Sequence, residues 1–314
     1  MATATAHPNI ALVKYWGKQD KPGNLPVSPN LSITLSELTT TTTVSAADGN
    51  QDAFWLNDVR VEDKKVDQFL VHLRERFAIE NLQIQSSNNF PTSAGLASSA
   101  SGFAALITAI NAHADLGLNA VALSEWARVG SASAARSIFA GFVALVPPLW
   151  RAQTIAPPDH WPLHTVVAVT STATKSVGST EGMKRSRLTS PFYKTWATSG
   201  SDDFAQASDA IGQRDFDALA QIAEHNCLKM HAVMLTSQPA LAYWNSATVA
   251  CMEVIRQLRA AGTPVFFTID AGPQVKAICL KQSVATVEQA LQDVAGVQRT
   301  MSCGMGPGAQ VTVP

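Results

Sequence analysis

The passage at residues 88–102, NNFPTSAGLASSASG, constrains the fold most, because a strand must give way there to a helix through a turn. A strand-like run carrying Leu82 and Ile84 ends at Phe90, and Pro91 sets the turn. Residues 97–114 then read as a long helix of small and apolar side chains. The first turn of such a helix leaves N–H groups unpaired and carries partial positive charge, so phosphate oxygens bind there favourably. Ala94, Gly95, Ala97 and Ser98 are small enough to let an anion reach the backbone. A Walker loop would place a lysine directly before its Ser/Thr, and none stands here, so a phosphate site in this passage has another construction. A serine-capped, alanine-rich core helix fits the same residues equally well.

Composition narrows the ligand. With 314 residues, 46% hydrophobic and 15% charged, the chain can bury a large core in one large or two intimately packed domains. A net charge of -1 and a pI near 6.6 leave no electrostatic footprint for nucleic acid or an anionic membrane. An anionic ligand is therefore expected to be a small molecule held by a local site. Cys227, Cys251, Cys279 and Cys303 are scattered, without a CxxC pair or zinc spacing, and read as reduced core thiols. His225 and His231 fall off the i, i+4 ligand spacing and read as structural. The N-terminus lacks a basic region followed by an apolar run, and no stretch reaches roughly 18 uninterrupted apolar residues, so a cytoplasmic location is expected.

Strand-like stretches at residues 10–15, 31–35, 39–44 and 54–61 crowd the first part of the chain. Val66, Phe69, Leu70, Leu73 and Phe77 then recur at helical spacing, with Arg74, Glu75 and Arg76 as solvated charges. A helix is expected at 120–129 and a buried strand at 142–146. Pro147, Pro148, Pro157, Pro158 and Pro162 mark a boundary near residue 160, giving lobes of residues 1–160 and 161–314. The second lobe opens on a strand at 165–170, followed by helices at 204–213, 216–235 and 244–261. Strands at 265–269 and 277–280, a helix at 284–294, and short strands at 299–302 and 310–313 complete it. The pattern is an α+β fold of two lobes.

Asp270 ends an apolar strand and begins the turn Ala271-Gly272-Pro273. A rigid strand end holds such a carboxylate in place while the turn opens beside it, which suits a general base or a metal ligand. An Asx-type turn former is the alternative. Lys14 and Lys18 sit at even spacing on a strand-like stretch, hence on one face, where an anion or a neighbouring acid is within reach. Arg136 stands one turn into a short helix after Gly130-Ser131-Ala132-Ser133 and can fork onto a carboxylate or phosphate. Residues 175–183, running from Lys175 through Ser179 and Thr180 to Met183, form a third hydroxyl-rich entry into a helix. Several such anion-friendly helix starts in a nearly neutral chain suggest a ligand or ligands with several phosphates.

Six blocks in order resemble the mevalonate diphosphate decarboxylase family of the GHMP kinase superfamily. Residues 9–18 are similar to N-I-A-x-x-K-Y-W-G-K, residues 88–102 to N-N-F-P-T-x-A-G-L-A-S-S-A-S, and residues 130–142 open like G-S-G-S-A-x-R-S. Residues 179–183 resemble S-x-x-G-M, residues 226–232 the helix with L-K-M-H-A, and residues 267–273 F-T-x-D-A-G-P. The resemblance implies a GHMP-kinase-like fold with a deep cleft between the lobes, and an enzyme that uses Mg-ATP. Its substrate would be mevalonate 5-diphosphate, phosphorylated at the C3 hydroxyl before phosphate and CO2 depart to leave isopentenyl diphosphate. It further implies that Asp270 takes or orients the hydroxyl proton, that Lys14 keeps Asp270 ionised, and that Arg136 holds the substrate carboxylate. Tyr15, Lys18, Ser131, Ala132, Ser133, Ser179, Thr180 and Met183 map to substrate-binding positions. Pro91, Ser93, Gly95, Leu96, Ala97, Ser98, Ser99 and Lys175 map to the ATP site, with Ser99 as the candidate Mg2+ ligand. A cytoplasmic homodimer is implied as well.

The chain departs from the family pattern at Ala132, where a glycine is usual between two serines, and at Thr180, where many bacterial relatives carry arginine. Ala144 and Leu145 stand where acidic or aromatic residues are frequent. None of these touches the set of Asp270, Lys14 and Arg136. A phosphomevalonate decarboxylase or a mevalonate 3-kinase of the same fold is the alternative activity.

Overall fold

The computed structural model describes residues 1–90 and 98–313. Alternation at the start of the chain builds β1 (Ala2–Ala6), followed by β2 (Asn9–Val13), β3 (Asn30–Thr34) and the threonine-rich β4 (Thr40–Ala46). β5 (Ala53–Leu56) and β6 (Val59–Arg60) form a hairpin whose turn residues, Asn57 and Asp58, both take positive φ, as tight hairpins prefer. Asp63 caps α1 (Lys64–Arg74) by accepting from the Lys65 and Val66 N–H groups. Next come β7 (Leu82–Asn88), α2 (Ser98–His113), α3 (Ala120–Gly130), the four-residue α4 (Ala134–Ser137), β8 (Phe142–Val146) and β9 (Arg151–Ala156). β10 (Leu163–Val169) leads into α5 (Ser179–Thr189), α6 (Tyr193–Gln213), α7 (Phe216–Leu235) and α8 (Ser246–Ala260). The chain closes through β11 (Val265–Ile269), β12 (Val275–Leu280), α9 (Val284–Gln292), β13 (Arg299–Cys303) and β14 (Gln310–Val313).

Among the described residues these strands form three sheets, ordered β14-β1-β4-β7-β5-β6, β2-β3-β8-β9 and β11-β12-β10-β13. Pairing is antiparallel throughout except between β5 and β7. The first sheet is covered by α1, α2 and α3, and Phe69 meets Phe103 edge to face at 5.3 Å in that core. The second and third sheets share a core in which Ile10, Leu12, Ile33 and Phe142 face Val167, Phe266 and Ile278, flanked by alanines of α6 and α7. Residues alternate in strands, so the opposite face of β11, carrying Val265, Phe267 and Ile269, lies under α8 and against Cys227 of α7. Full burial of each such side chain stabilises by about 1.5–3 kcal/mol. No helix of the described residues is long and apolar enough to cross a membrane.

Several elements escape the sequence patterns. β9 lies inside the proline-rich stretch and pairs with β8 as a hairpin across Pro147-Pro148. α6 begins at Tyr193, well before the apolar repeat at 204, because its first turns are held by tertiary contacts. Trp196 Nε1 donates to Trp16 O at 2.8 Å, and Gly200 packs so closely on Ser28 that a Cβ would lie 2.6 Å from the serine Cβ. Arg74 is not merely solvated, since it pairs bidentately with Asp52 at 2.7 Å. The strand containing Ile10 stops at Val13, so Lys14 and Lys18 do not share a strand face; Gly17, at φ 142°, turns the chain between them.

Candidate active site

Asp270 follows the last residue of β11, on the face that carries Phe266 and Thr268 toward β2. Two groups on α7 grip the strand end just before it. Cys227 Sγ accepts from Ile269 N at 3.2 Å, and His231 Nε2 lies 3.2 Å from Ile269 O. The contacting groups are one helical turn apart, so both side chains meet the same residue. Burial pushes His231 down to about 3 and keeps it neutral, in agreement with its reading as structural. The four cysteines are free and buried.

Lys14 is 1% exposed and donates to Asp270 Oδ1 at 2.7 Å and to Ala11 O at 2.9 Å. Its backbone N–H is fixed by Asn226 Oδ1 at 2.7 Å, and Asn226 Nδ2 in turn donates to Asp203 at 2.7 Å. A second ammonium, from Lys276 on β12, stands 3.3 Å from Asp270 Oδ2. The two form an ion pair on the side of the carboxylate away from Lys14. Burial works against ionisation of Asp270, but Lys14 and then Lys276 override it and hold the carboxyl well below the usual range.

Arg136 is 2% exposed. Its Nε donates to Ser32 Oγ at 2.8 Å, Nη1 to Asn30 Oδ1, and Nη2 to Asn9 Oδ1 at 3.1 Å. All three partners are neutral, and among the described residues no carboxylate forms a salt bridge with it. Burial draws the guanidinium down to about 10, partly offset by Asp270, so it remains a cation at neutral pH. The loop before it depends on Gly130, where a Cβ would lie 2.1 Å from the Phe103 ring.

These groups line one cavity of about 700 Å³. Tyr15, Lys18, Ser98, Ser99, Ser131, Ala132, Ser133, Lys175, Ser179, Thr180 and Met183 all reach its wall, so the structure brings together every described residue that the sequence singles out. Pro91, Ser93, Gly95, Leu96 and Ala97 lie outside the described residues. Ser99, Ser131 and Ser133 form a hydroxyl chain with spacings of 3.3 and 3.2 Å. Lys18 Nζ reaches Asn24 Oδ1 at 2.8 Å and Thr180 Oγ1 at 3.3 Å. Lys175 Nζ donates to Ala271 O at 3.0 Å and Ser179 Oγ at 3.2 Å, while lying 5.8 Å over the Tyr243 ring. Tyr243 OH donates to Val177 O at 3.0 Å and so holds the same loop from behind.

The sequence reading missed Lys65, which the capped start of α1 points into the cavity wall, and Lys276. Asp63 three residues before the first apolar residue of α1 signals the helix start and hence Lys65, whereas the place of Lys276 is set by the pairing of β12 with β10 and β11. Among the described lining residues, Lys14, Lys18, Lys65, Lys175 and Arg136 confront a single carboxylate, Asp270. A wall of five cations in a chain of net charge -1 is a receptor for polyanions.

This fold and site define an enzyme acting on small, multiply charged anions. The family description "Diphosphomevalonate decarboxylase-like N-terminal domain" matches residues 6–148, and "Mevalonate 5-diphosphate decarboxylase C-terminal domain" matches residues 165–309. A diphosphomevalonate decarboxylase of Candida albicans is 36% identical over 99% of this chain and 98% of its own. The solved structure of the mevalonate diphosphate decarboxylase from Enterococcus faecalis is 36% identical, with a TM-score of 0.91, covering 100% of this chain and 99% of that one. A structure of MDDEF in complex with MVAPP, AMPPCP and magnesium is 38% identical, with a TM-score of 0.92 over 100% of this chain and 99% of that one. The chain belongs to the diphosphomevalonate decarboxylase family, with the GHMP-kinase-like α+β fold of that family.

Proposed function

We infer that the chain catalyses the ATP-dependent decarboxylation of mevalonate 5-diphosphate to isopentenyl diphosphate, releasing ADP, phosphate and CO2. The observation that carries this reading is one cavity in which a lysine-clamped carboxylate, Asp270, and a buried guanidinium, Arg136, face the same space. Arg136 binds the substrate carboxylate, the anion that its neutral partners leave room for. Asp270 orients the C3 hydroxyl toward the transferring phosphoryl group. A carboxyl held so far below its usual range is a weak base. It therefore serves chiefly by alignment and accepts the proton late, as a loose phosphoryl-transfer transition state permits.

Lys18, Tyr15, the hydroxyls of Ser131, Ser133, Ser179 and Thr180, and the walls at Ala132 and Met183 receive the substrate diphosphate. Ser98, Ser99 and Lys175 serve the nucleotide phosphates. The described residues contain no group of three or more His, Cys, Asp or Glu suited to hold a metal. Hydroxyls beside a phosphate site nevertheless suit Mg2+, which is commonly carried by nucleotide oxygens and water with few protein ligands; Ser99 is the proposed one. When bound, Mg2+ neutralises phosphate charge during transfer. Residues 1–160 and 161–314 form the two lobes, and the protein works as a cytoplasmic homodimer; light scattering that finds a monomer at micromolar concentration would remove the dimer.

The test is incubation with ATP and each of mevalonate, its 5-phosphate and its 5-diphosphate, following CO2 and phosphate separately. CO2 release with the 5-diphosphate is expected. Phosphorylated substrate that accumulates without CO2 would instead make the protein a 3-kinase, and preference for the monophosphate would make it a phosphomevalonate decarboxylase.

A further inference from the structure

Lys276 is a buried lysine in the middle of a sheet. It pairs across β12 with Thr268 on β11 and with Val167 on β10, so its side chain shares their face, the one that also carries Phe266 and Ile278. It is 0% exposed, and it is not among the described residues that line the cavity. Removing an ammonium from water costs several kcal/mol unless a partner of opposite charge compensates. Asp270 meets that need, with Oδ2 at 3.3 Å.

The two oxygens of Asp270 have different surroundings. Oδ1 receives the short Lys14 hydrogen bond, while Oδ2 is shut off from solvent on the sheet side. The side chain is still 25% exposed, and Oδ2 contributes nothing to that exposure. We propose that Lys276 is a positioning residue for the reaction, fixing the rear oxygen of Asp270 from inside the sheet so that the Oδ1 edge faces the substrate hydroxyl. This rests on the decarboxylase reading and assigns a task that Lys14 alone does not fulfil, because one ammonium leaves the carboxylate free to turn about its Cβ–Cγ bond.

The experiment measures kcat and KM at neutral pH for the full-length protein and for Lys276→Met and Lys276→Arg, with mevalonate 5-diphosphate and ATP. Lys276→Met is expected to lower kcat by about tenfold or more at neutral pH. Both KM values should stay within about twofold, because no ground-state contact is lost. Lys276→Arg, which keeps a cation on the sheet side, should recover most of the lost kcat. An unchanged kcat in Lys276→Met, a raised KM at unchanged kcat, or a Lys276→Arg variant no more active than Lys276→Met overturns the proposal. Where Lys276→Met does not fold, Lys276→Gln is read by the same criteria. Wild-type protein that turns over no mevalonate derivative would remove the decarboxylase reading itself, whereas wild-type turnover with kcat unchanged in Lys276→Met removes only the role of Lys276.

Discussion

Replacing Arg136 with glutamine should separate activity from stability. Burial draws the guanidinium down to about 10, which puts the cost of keeping it charged inside the fold at roughly 3 kcal/mol. The sign follows from linkage. A folded-state value below the unfolded one means that the unfolded chain binds the proton more tightly, so this cost is fully present at neutral pH and fades only as pH rises past about 10. Glutamine removes the cost, and its one amide can still serve one of Asn9, Asn30 and Ser32, but it leaves the other two short of donors, at about 1–3 kcal/mol each. The opposing effects nearly cancel, and Tm should move by no more than about 5 °C. Catalysis has no such compensation. A substrate carboxylate bound without its guanidinium loses about 2–5 kcal/mol, or about 30-fold to several-thousand-fold in kcat/KM. The assay is ADP release at saturating ATP with varied mevalonate 5-diphosphate, alongside thermal melting and calorimetric ATP binding. A kcat/KM within about threefold of wild type, or an equal loss of ATP affinity, would refute the assignment of Arg136 to the carboxylate.

Asp270→Ala should reduce turnover by at least about 100-fold while leaving nucleotide affinity largely intact, because the carboxylate acts on the alcohol. Near-normal turnover, measured as CO2 release, would exclude that role. His231 supplies a prediction about pH and stability. Its value of about 3 lies below that of the unfolded chain, so stability should be full above pH ~6.5 and fall as the pH drops toward 3. Between pH ~6.5 and ~4.5 the loss should be roughly 2–3 kcal/mol by urea unfolding, and His231→Gln should flatten that decline. Asp270, with a folded value below its unfolded one, withdraws stability only below about pH 4, so the decline between pH ~6.5 and ~4.5 is free of it.

Much of this site is legible in the sequence because several of its parts are local. The apolar run before Asp270 predicts a strand whose bounds coincide with β11, and the repeat at 216–235 coincides with α7. Hydroxyls beside Arg136 and after Lys175 likewise reach one cavity. What is not legible depends on which face a neighbour occupies. Lys276 looks like a surface lysine until the pairing of β12 with β10 and β11 buries it opposite Thr268. Lys14 looks like half of a strand-face pair with Lys18, yet the chain turns at Gly17 and sends the two ammoniums to different partners. The early turns of α6, rich in Ser, Thr and Gly, carry little helix propensity and form because Trp196 and Gly200 dock on residues far away in sequence.

Tyr243 gives the active-site loop an optical gauge. Its hydroxyl holds Val177, its face lies under Lys175, and its ring stands edge-on to Trp16 at 6.4 Å. Displacement of the loop at Lys175 must disturb the Tyr243 ring, and with it the packing that sets the emission of Trp16. The motion can then be timed by stopped-flow fluorescence of unlabelled protein, using a Trp16→Phe control to subtract the other six tryptophans.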